Sequence, residues 1–135
     1  MKINRLYAFR GATCTKNTKD DITKDVEQMF SSVIKLNNID LNNLVSIQFT
    51  TTQDLTAINP AKALRKSFEL SNKTLPPQAA LFCSQEPTFE ESIPLTIRVM
   101  ILAYVDIEEN EKNTFCPKSV YLNGAQVLRP DLCNC

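Results

Sequence analysis

One ten-residue stretch, 96–105, constrains the fold more than any other part of this chain, because it is almost entirely apolar and yet contains an arginine. At the two-residue period of a β-strand, Arg98 shares one face with Met100, Leu102 and Tyr104. The opposite face carries Ile97, Val99, Ile101, Ala103 and Val105. Neither face resembles a solvated surface, so the stretch predicts a core strand with both sides covered.

An arginine in such a strand needs an anionic partner, because a buried guanidinium is stable only when it is paired. The partner is either a carboxylate of the protein itself or an anionic ligand. An arginine that curls out to solvent at the strand end would need neither. The stretch alone favours the structural explanations, and the rest of the chain decides between them.

Length and charge limit the remaining choices. The 135 residues predict one domain, 1–132, followed by a short tail, 133–135. Fifteen basic and fifteen acidic residues cancel, which gives no indication of a nucleic-acid partner or of a charged membrane face. The apolar run 6–9 is too short for a signal or a membrane span, so we expect a cytoplasmic protein. An odd number of cysteines, five, predicts reduced thiols rather than a disulfide framework.

The sequence contains no histidine, which removes the commonest general base, the usual triad partner and the commonest metal ligand together. Cys133 and Cys135 offer two thiolates, too few for a tetrahedral metal site. Gly11 and Gly124 are the sole glycines, so the chain has no glycine-rich loop for a nucleotide phosphate. We therefore expect neither a metal nor a cofactor.

Two helices and several strands follow from the hydrophobic pattern. A strand over 3–12 ends near Arg10 and Gly11, and a helix capped by Thr18 continues to about residue 37. After a helical turn at 40–43, a strand over 44–52 places one apolar face, formed by Val45, Ile47 and Phe49, towards the core.

The second half of the chain begins with a helix from Asn59-Pro60 to about Phe68, on which Lys62 and Arg65 share a face. That pair indicates either an exposed basic surface or an anion site. Further strands are predicted at 79–83, 96–105, 120–122 and 125–128, with a loop over 106–118. The predicted class is an α+β domain with two helices on one face of a mixed sheet. The uncovered face then requires self-association.

Five motifs occur in a fixed order along the chain. They are Arg10-Gly11-Ala12-Thr13, Pro60-Ala61-Lys62-Ala63-Leu64-Arg65, Cys83-Ser84-Gln85-Glu86, Ile97-Arg98-Val99-Met100, and Val120-Tyr121-Leu122 followed by Val127-Leu128-Arg129-Pro130-Asp131. In these motifs the chain resembles the AroH-type monofunctional chorismate mutases, over nearly all of residues 5–132. The resemblance implies a homotrimeric pseudo-α/β barrel with active sites at the subunit interfaces. It also implies the Claisen rearrangement of chorismate to prephenate, in phenylalanine and tyrosine biosynthesis, without a cofactor.

The resemblance also assigns roles to individual residues. Arg10 and Tyr121 would bind substrate carboxylates, and Arg98 would bind the ether oxygen and a carboxylate. Glu86, with the segment Phe82, Cys83, Ser84 and Gln85, would bind the substrate hydroxyl. The adjacent subunit would contribute Ala61, Lys62 and Arg65, and Leu128 would form an apolar wall. Arg98, Glu86 and Arg10 are thus the expected catalytic residues.

The implied reaction agrees with the residue inventory. A pericyclic rearrangement needs no base, nucleophile or metal, and arginines supply the positive charge and the grip on a dianion that it requires. Two alternatives remain open. One is an imine or enamine deaminase of the RidA-like group, and the other is a non-catalytic module that binds a dicarboxylate metabolite.

Overall fold

The computed structural model describes residues 1–131, which form one five-stranded sheet and two α-helices. The predicted tail with Cys133 and Cys135 lies outside the described residues. The elements are, in chain order, β1 (Lys2–Cys14), α1 (Lys19–Leu36), β2 (Leu44–Thr51), α2 (Pro60–Leu70), β3 (Ala80–Gln85), β4 (Thr96–Glu108) and β5 (Val120–Leu122). Short 3-10 turns occupy Leu41–Asn43, Glu109–Glu111 and Ala125–Leu128.

The sheet is mixed, with the strand order β3-β2-β4-β1-β5. The Arg98 strand, β4, lies at the centre and pairs antiparallel with both β1 and β2. The edge strands β3 and β5 pair parallel with β2 and β1. The α+β class, the mixed sheet and the two helices predicted from the sequence are confirmed.

Both helices begin where the sequence predicts. The Thr18 side chain accepts a hydrogen bond of 3.0 Å from the Asp21 amide, and Asn59 accepts one of 2.8 Å from the Ala61 amide. Each cap satisfies an amide that the helix itself cannot pair. Pro60 follows at the first helical position, where its fixed φ suits the helix.

The core lies between these helices and one face of the sheet. α1 contacts β1 and β5, α2 contacts β2 and β3, and the helices contact each other. The helix and the sheet approach closely at Gly11, because a Cβ atom there would lie 3.0 Å from both Val33 Cγ2 and Val99 Cγ1. α1 therefore rests directly on β1, next to Arg10. The α1 side chains buried in this core recur at three- and four-residue steps and are Ile22, Val26, Met29, Phe30 and Val33.

The other face of the sheet is open in the isolated chain. The alternation predicted for β4 is present, since Ile97, Val99, Ile101, Ala103, Val105 and Ile107 are all buried on the helix side. On the opposite side, Met100 and Tyr104 are 40% and 44% exposed, next to Leu6 at 45% and Phe82 at 61%. Both faces of β4 were predicted to be covered. Within this chain the helices cover one of them, and the other is exposed. We call the uncovered surface the open face.

Three predicted elements were wrong in detail. The segment Ala125–Leu128 is a 3-10 turn that follows Gly124, whose φ of 102° turns the chain away from a strand. The predicted loop over 106–118 begins late, because β4 continues to Glu108 and pairs there with Lys2. Val45 is half-buried, since an irregularity in the pairing with β4 between Leu44 and Ser46 shifts the alternation.

Two further observations concern features named in the sequence. Cys14 and Cys83 are free thiols, as expected, whereas Cys116 is disulfide-bonded, which the sequence interpretation did not expect. Over residues 1–131, neither helix combines the length and the apolar character that crossing a membrane requires.

Candidate active site

A cleft of about 420 Å³ lies on the open face, where β1, β2 and β4 run side by side. Its walls are completed by the residues that follow β3, by β5 and by the segment after the last 3-10 turn. The polar side chains around it are Arg10, Gln48, Thr50, Glu86, Arg98, Tyr121 and Arg129.

The sheet register explains how these side chains come together. Arg98 stands between Ala12 on β1 and Thr50 on β2, and Arg10 stands opposite Met100 one row away. Ala12 is small, so it leaves room for the guanidinium on its β1 side. Arg10 and Arg98 are thus diagonal neighbours on adjacent antiparallel strands, about 7–8 Å apart, and both lie over the same cleft.

Arg98 has a carboxylate partner within the protein. Its Nε atom lies 3.0 Å from Oε1 of Glu86, with the two side chains 41% and 20% exposed. The Nε atom is itself buried and makes no directed hydrogen bond within residues 1–131, so the contact is an ion pair with poor hydrogen-bond geometry. Both predicted kinds of partner remain compatible with this arrangement, because two-fifths of the Arg98 side chain still faces the cleft.

Glu86 is held by its backbone and by its side chain. Its amide donates a hydrogen bond of 2.7 Å to the Thr51 carbonyl, which continues the pairing of β3 with β2 by one residue. Its other carboxylate oxygen, Oε2, accepts a hydrogen bond from the Thr50 hydroxyl. The carboxylate therefore has a different partner on each oxygen.

The two outer arginines differ in their surroundings. Arg129 forms a two-point contact with Asp131, at 3.0 Å from Nε to Oδ1 and 2.9 Å from Nη2 to Oδ2. The hydrogen bond to Asp131 raises the pKa of Arg129 further above its usual value, so this group stays charged. Arg10 is exposed and makes no ion pair with any residue of the described chain. Its charge is available to an anion in the cleft.

Comparison with known families identifies the chain. The family model for chorismate mutase type I matches residues 6–132, which is nearly the whole sequence. The chain belongs to the type I chorismate mutase family. The resemblance found in the five sequence motifs is thereby confirmed.

Individual relatives agree with this family. The chain is 32% identical over 128 residues to chorismate mutase AroH of Bacillus subtilis strain 168, covering 94% of this chain and 92% of the relative. It is 30% identical over 126 residues to chorismate mutase AroH of Thermus thermophilus, covering 92% and 93%. The solved structure of a chorismate mutase from Clostridium thermocellum superposes with a TM-score of 0.73 at 33% identity, covering 90% of this chain and 98% of that one.

Of the site residues predicted for this chorismate mutase family member, four line the cleft: Arg10, Glu86, Arg98 and Tyr121. The others lie elsewhere in the described chain. Lys62 and Arg65 are exposed on α2, and Ala61 is buried beside them. Leu128 is half-buried close to the cleft residue Arg129 without lining the cleft itself.

The β3 segment is divided between the two faces of the sheet. Phe82 and Ser84 are exposed, and their positions in the register match those of the open-face residues Gln48 and Thr50. Cys83 faces the other way, opposite the buried Phe49, and packs against the core. Burial there raises the pKa of the Cys83 thiol. The Cys83 side chain thus lies on the helix side of the sheet and not over the cleft.

Sequence reasoning missed three of the cleft's polar residues, Gln48, Thr50 and Arg129. Gln48 and Thr50 lie on the face of β2 opposite the predicted apolar one, and the contact of Thr50 with Glu86 depends on a strand register that no local pattern specifies. Arg129 was included in a motif but not in the site, although its place in the Leu-Arg-Pro-Asp sequence next to Leu128 was a usable signal. Within residues 1–131 no three acidic, cysteine or histidine side chains are placed to share a metal ion.

Proposed function

We propose that this cleft converts chorismate to prephenate, with Arg98, Arg10, Glu86 and Tyr121 as the residues that contact the substrate. The observation that carries the proposal is the convergence of Arg98 and Arg10 on one side of the sheet, over a cleft large enough for a small dianion. Of the three arginines around the cleft, Arg129 is paired with Asp131; the other two, in a chain with no net charge, indicate a ligand with two anionic groups.

The chemistry needs a charge rather than a proton carrier. In the Claisen rearrangement the ether C–O bond breaks while a new C–C bond forms, and negative charge develops on the ether oxygen. Arg98 is suited to stabilise that charge, since its guanidinium is fixed on the central strand. Arg10 and Tyr121 would hold the carboxylates, so that the substrate stays in the compact conformer that reacts.

Glu86 would complete the site by accepting a hydrogen bond from the substrate hydroxyl. Its Oε1 and Oε2 atoms already have partners in Arg98 and Thr50, but each carboxylate oxygen has two acceptor positions. One position therefore stays available on each oxygen.

The assembly that we propose is a homotrimer in which the open face is covered by the neighbouring subunits. The open face exposes four large apolar side chains, Leu6, Phe82, Met100 and Tyr104, as surfaces that bind another protein do. The assembly would also give a function to Lys62 and Arg65, which are exposed in the isolated chain and would reach the cleft of an adjacent subunit together with Ala61. Light scattering that shows a monodisperse, active monomer would contradict it.

We further propose that the protein acts in the cytoplasm, in the branch of metabolism that supplies phenylalanine and tyrosine, and that residues 1–132 act as one domain. The proposal is supported by the family, whose model matches residues 6–132.

The test is to add chorismate to the purified protein, to follow its loss in the ultraviolet and to identify prephenate as the product. Arg98→Ala, prepared in the same way, is the matched control for the uncatalysed rearrangement. Binding of chorismate without turnover would favour a dicarboxylate-binding module instead. Release of ammonia from an imino acid substrate, with chorismate untouched, would favour the deaminase.

A further inference from the structure

We propose that Thr50 is a positioning residue, which holds the Glu86 carboxylate in the one orientation that leaves Arg98 available to the substrate. The inference rests on the chorismate mutase function proposed above. It follows from the way in which the two oxygens of Glu86 are divided between partners, Oε1 to Arg98 Nε at 3.0 Å and Oε2 to the Thr50 hydroxyl.

The sheet register places Thr50 between the two groups that it would control. Thr50 stands directly opposite Arg98 on β4 and opposite Ser84 on β3, two residues before Glu86. The Glu86 backbone is already fixed by its hydrogen bond to the Thr51 carbonyl. What stays adjustable is the orientation of the Glu86 side chain, and the Thr50 hydroxyl acts on that orientation.

An unrestrained carboxylate beside an arginine prefers a two-point contact, in which both oxygens accept parallel N–H bonds from the guanidinium. Such a contact would occupy the Arg98 nitrogens that an anionic substrate needs. In the observed arrangement Oε2 is bound to Thr50 instead, and the Arg98 side chain keeps 41% of its surface exposed. The hydroxyl thus prevents Glu86 from competing with the substrate for Arg98.

Thr50→Val tests this, because valine has nearly the same shape, suits a strand and lacks the hydroxyl. A hydrogen bond to a charged group is worth roughly a 10- to 100-fold change in an equilibrium, and we expect a loss of that size in kcat/KM for chorismate, falling mainly on kcat. Thr50→Ser keeps the donor and should stay within about threefold of the wild type. Thr51→Val, one residue along on the opposite face of β2, is the matched control and should leave kcat unchanged.

A double-mutant cycle separates positioning from a general structural effect. In a Glu86→Ala background, Thr50→Val should cost less than about twofold, because its target is gone. The four proteins of the cycle are the wild type, the two single variants and the double variant. Titration calorimetry on these four measures their affinity for prephenate, a second readout that needs no turnover. A Thr50→Val enzyme within twofold of the wild type, or an equal loss in both backgrounds, would overturn the proposal. A wild type that leaves chorismate unchanged would instead defeat the proposed function, so the two failures are distinguishable.

Discussion

Glu86, which follows the edge strand β3, reaches across β2 to contact Arg98 on β4, at 3.0 Å between Oε1 and Nε. The sequence left two kinds of partner open for Arg98, a carboxylate of the protein or an anionic ligand; Glu86 supplies the first, while Arg98 still faces the cleft. The carboxylate is present before any substrate binds. Under the proposed function, a dianionic substrate would meet an arginine whose charge is partly offset, and Arg10 would be needed to hold it as well.

Arg98→Ala should lower kcat by at least roughly a hundred- to a thousandfold, since the charge that it stabilises exists fully in the transition state alone. Arg98→Lys should recover little, because the planar guanidinium is lost. The free energy of unfolding should change by about 1 kcal/mol or less, since the ion pair with Glu86 is partly exposed. Kinetics and thermal melting on the same sample check both parts.

The control for this prediction is Arg5→Ala, whose guanidinium lies outside the cleft, near the Tyr7 ring and the Lys112 carbonyl. It should keep the wild-type kcat. A folded Arg98→Ala enzyme with near wild-type turnover would remove Arg98 from the mechanism, and a protein that no longer folds would make the ion pair structural.

Mixed trimers should reveal whether Arg65 acts in a neighbouring subunit. When Arg98→Ala and Arg65→Ala chains are refolded together in equal amounts, random assembly leaves about one quarter of the sites with both arginines. Activity should then exceed the sum of the separate preparations. Arg98→Ala mixed with Arg10→Ala is the control, because both residues line the cleft of one chain and no complete site can form. Equal recovery from both mixtures would rule out a site shared in this way.

The rate should be nearly flat from about pH 6 to 8, because the sequence contains no histidine and the reaction transfers no proton. Burial raises the pKa of the Cys83 thiol, so this acid stays neutral to higher pH than usual and its titration moves away from the neutral range. Cys83→Ser should give the same profile, and EDTA should have no effect on either enzyme. An inflection near pH 7 in kcat, or inhibition by EDTA, would require a different mechanism.

Gly11→Ala should destabilise the protein by about 1 to 3 kcal/mol, because the new methyl group would overpack the contact between α1 and the sheet. The added Cβ would lie 3.0 Å from Val33 Cγ2 and 3.2 Å from Met29 Cγ. Urea denaturation measures the change. The double variant Gly11→Ala, Val33→Ala regains space and should lose less stability than the sum of the single variants. Strict additivity would show that the helix can move away at no cost.

Residues with strong local signals were predicted correctly from the sequence. Thr18 and Asn59 begin the helices as expected, because capping depends on a few neighbouring residues. The two-residue alternation of β4 identified its buried face, and it continues into the charged segment as Ile107 buried beside exposed Asp106 and Glu108. The two-residue alternation thus extends into the segment 106–108, where a loop was predicted. The loop was predicted because the segment is charged, although its alternation indicates a strand.

Other features depend on contacts between distant parts of the chain. The segment Ala125–Leu128 is short and apolar, a pattern that fits a strand or a helical turn equally well, and Gly124 decides between them. The hydrogen bond of Thr50 to Glu86 and the orientation of Cys83 towards the core both follow from the parallel register of β2 with β3. No pattern within either strand specifies that register.

The close approach at Gly11 has a consequence for how the site can respond to its substrate. Val33 and Val99 leave no space for β1 to shift towards the helix, so the backbone that carries Arg10 is fixed on that side. The segment 87–95, which joins β3 to β4 beside Pro87 at the cleft, contains neither helix nor strand. Any adjustment to a substrate would therefore fall to the side chains and to this side of the cleft, and not to the backbone of β1.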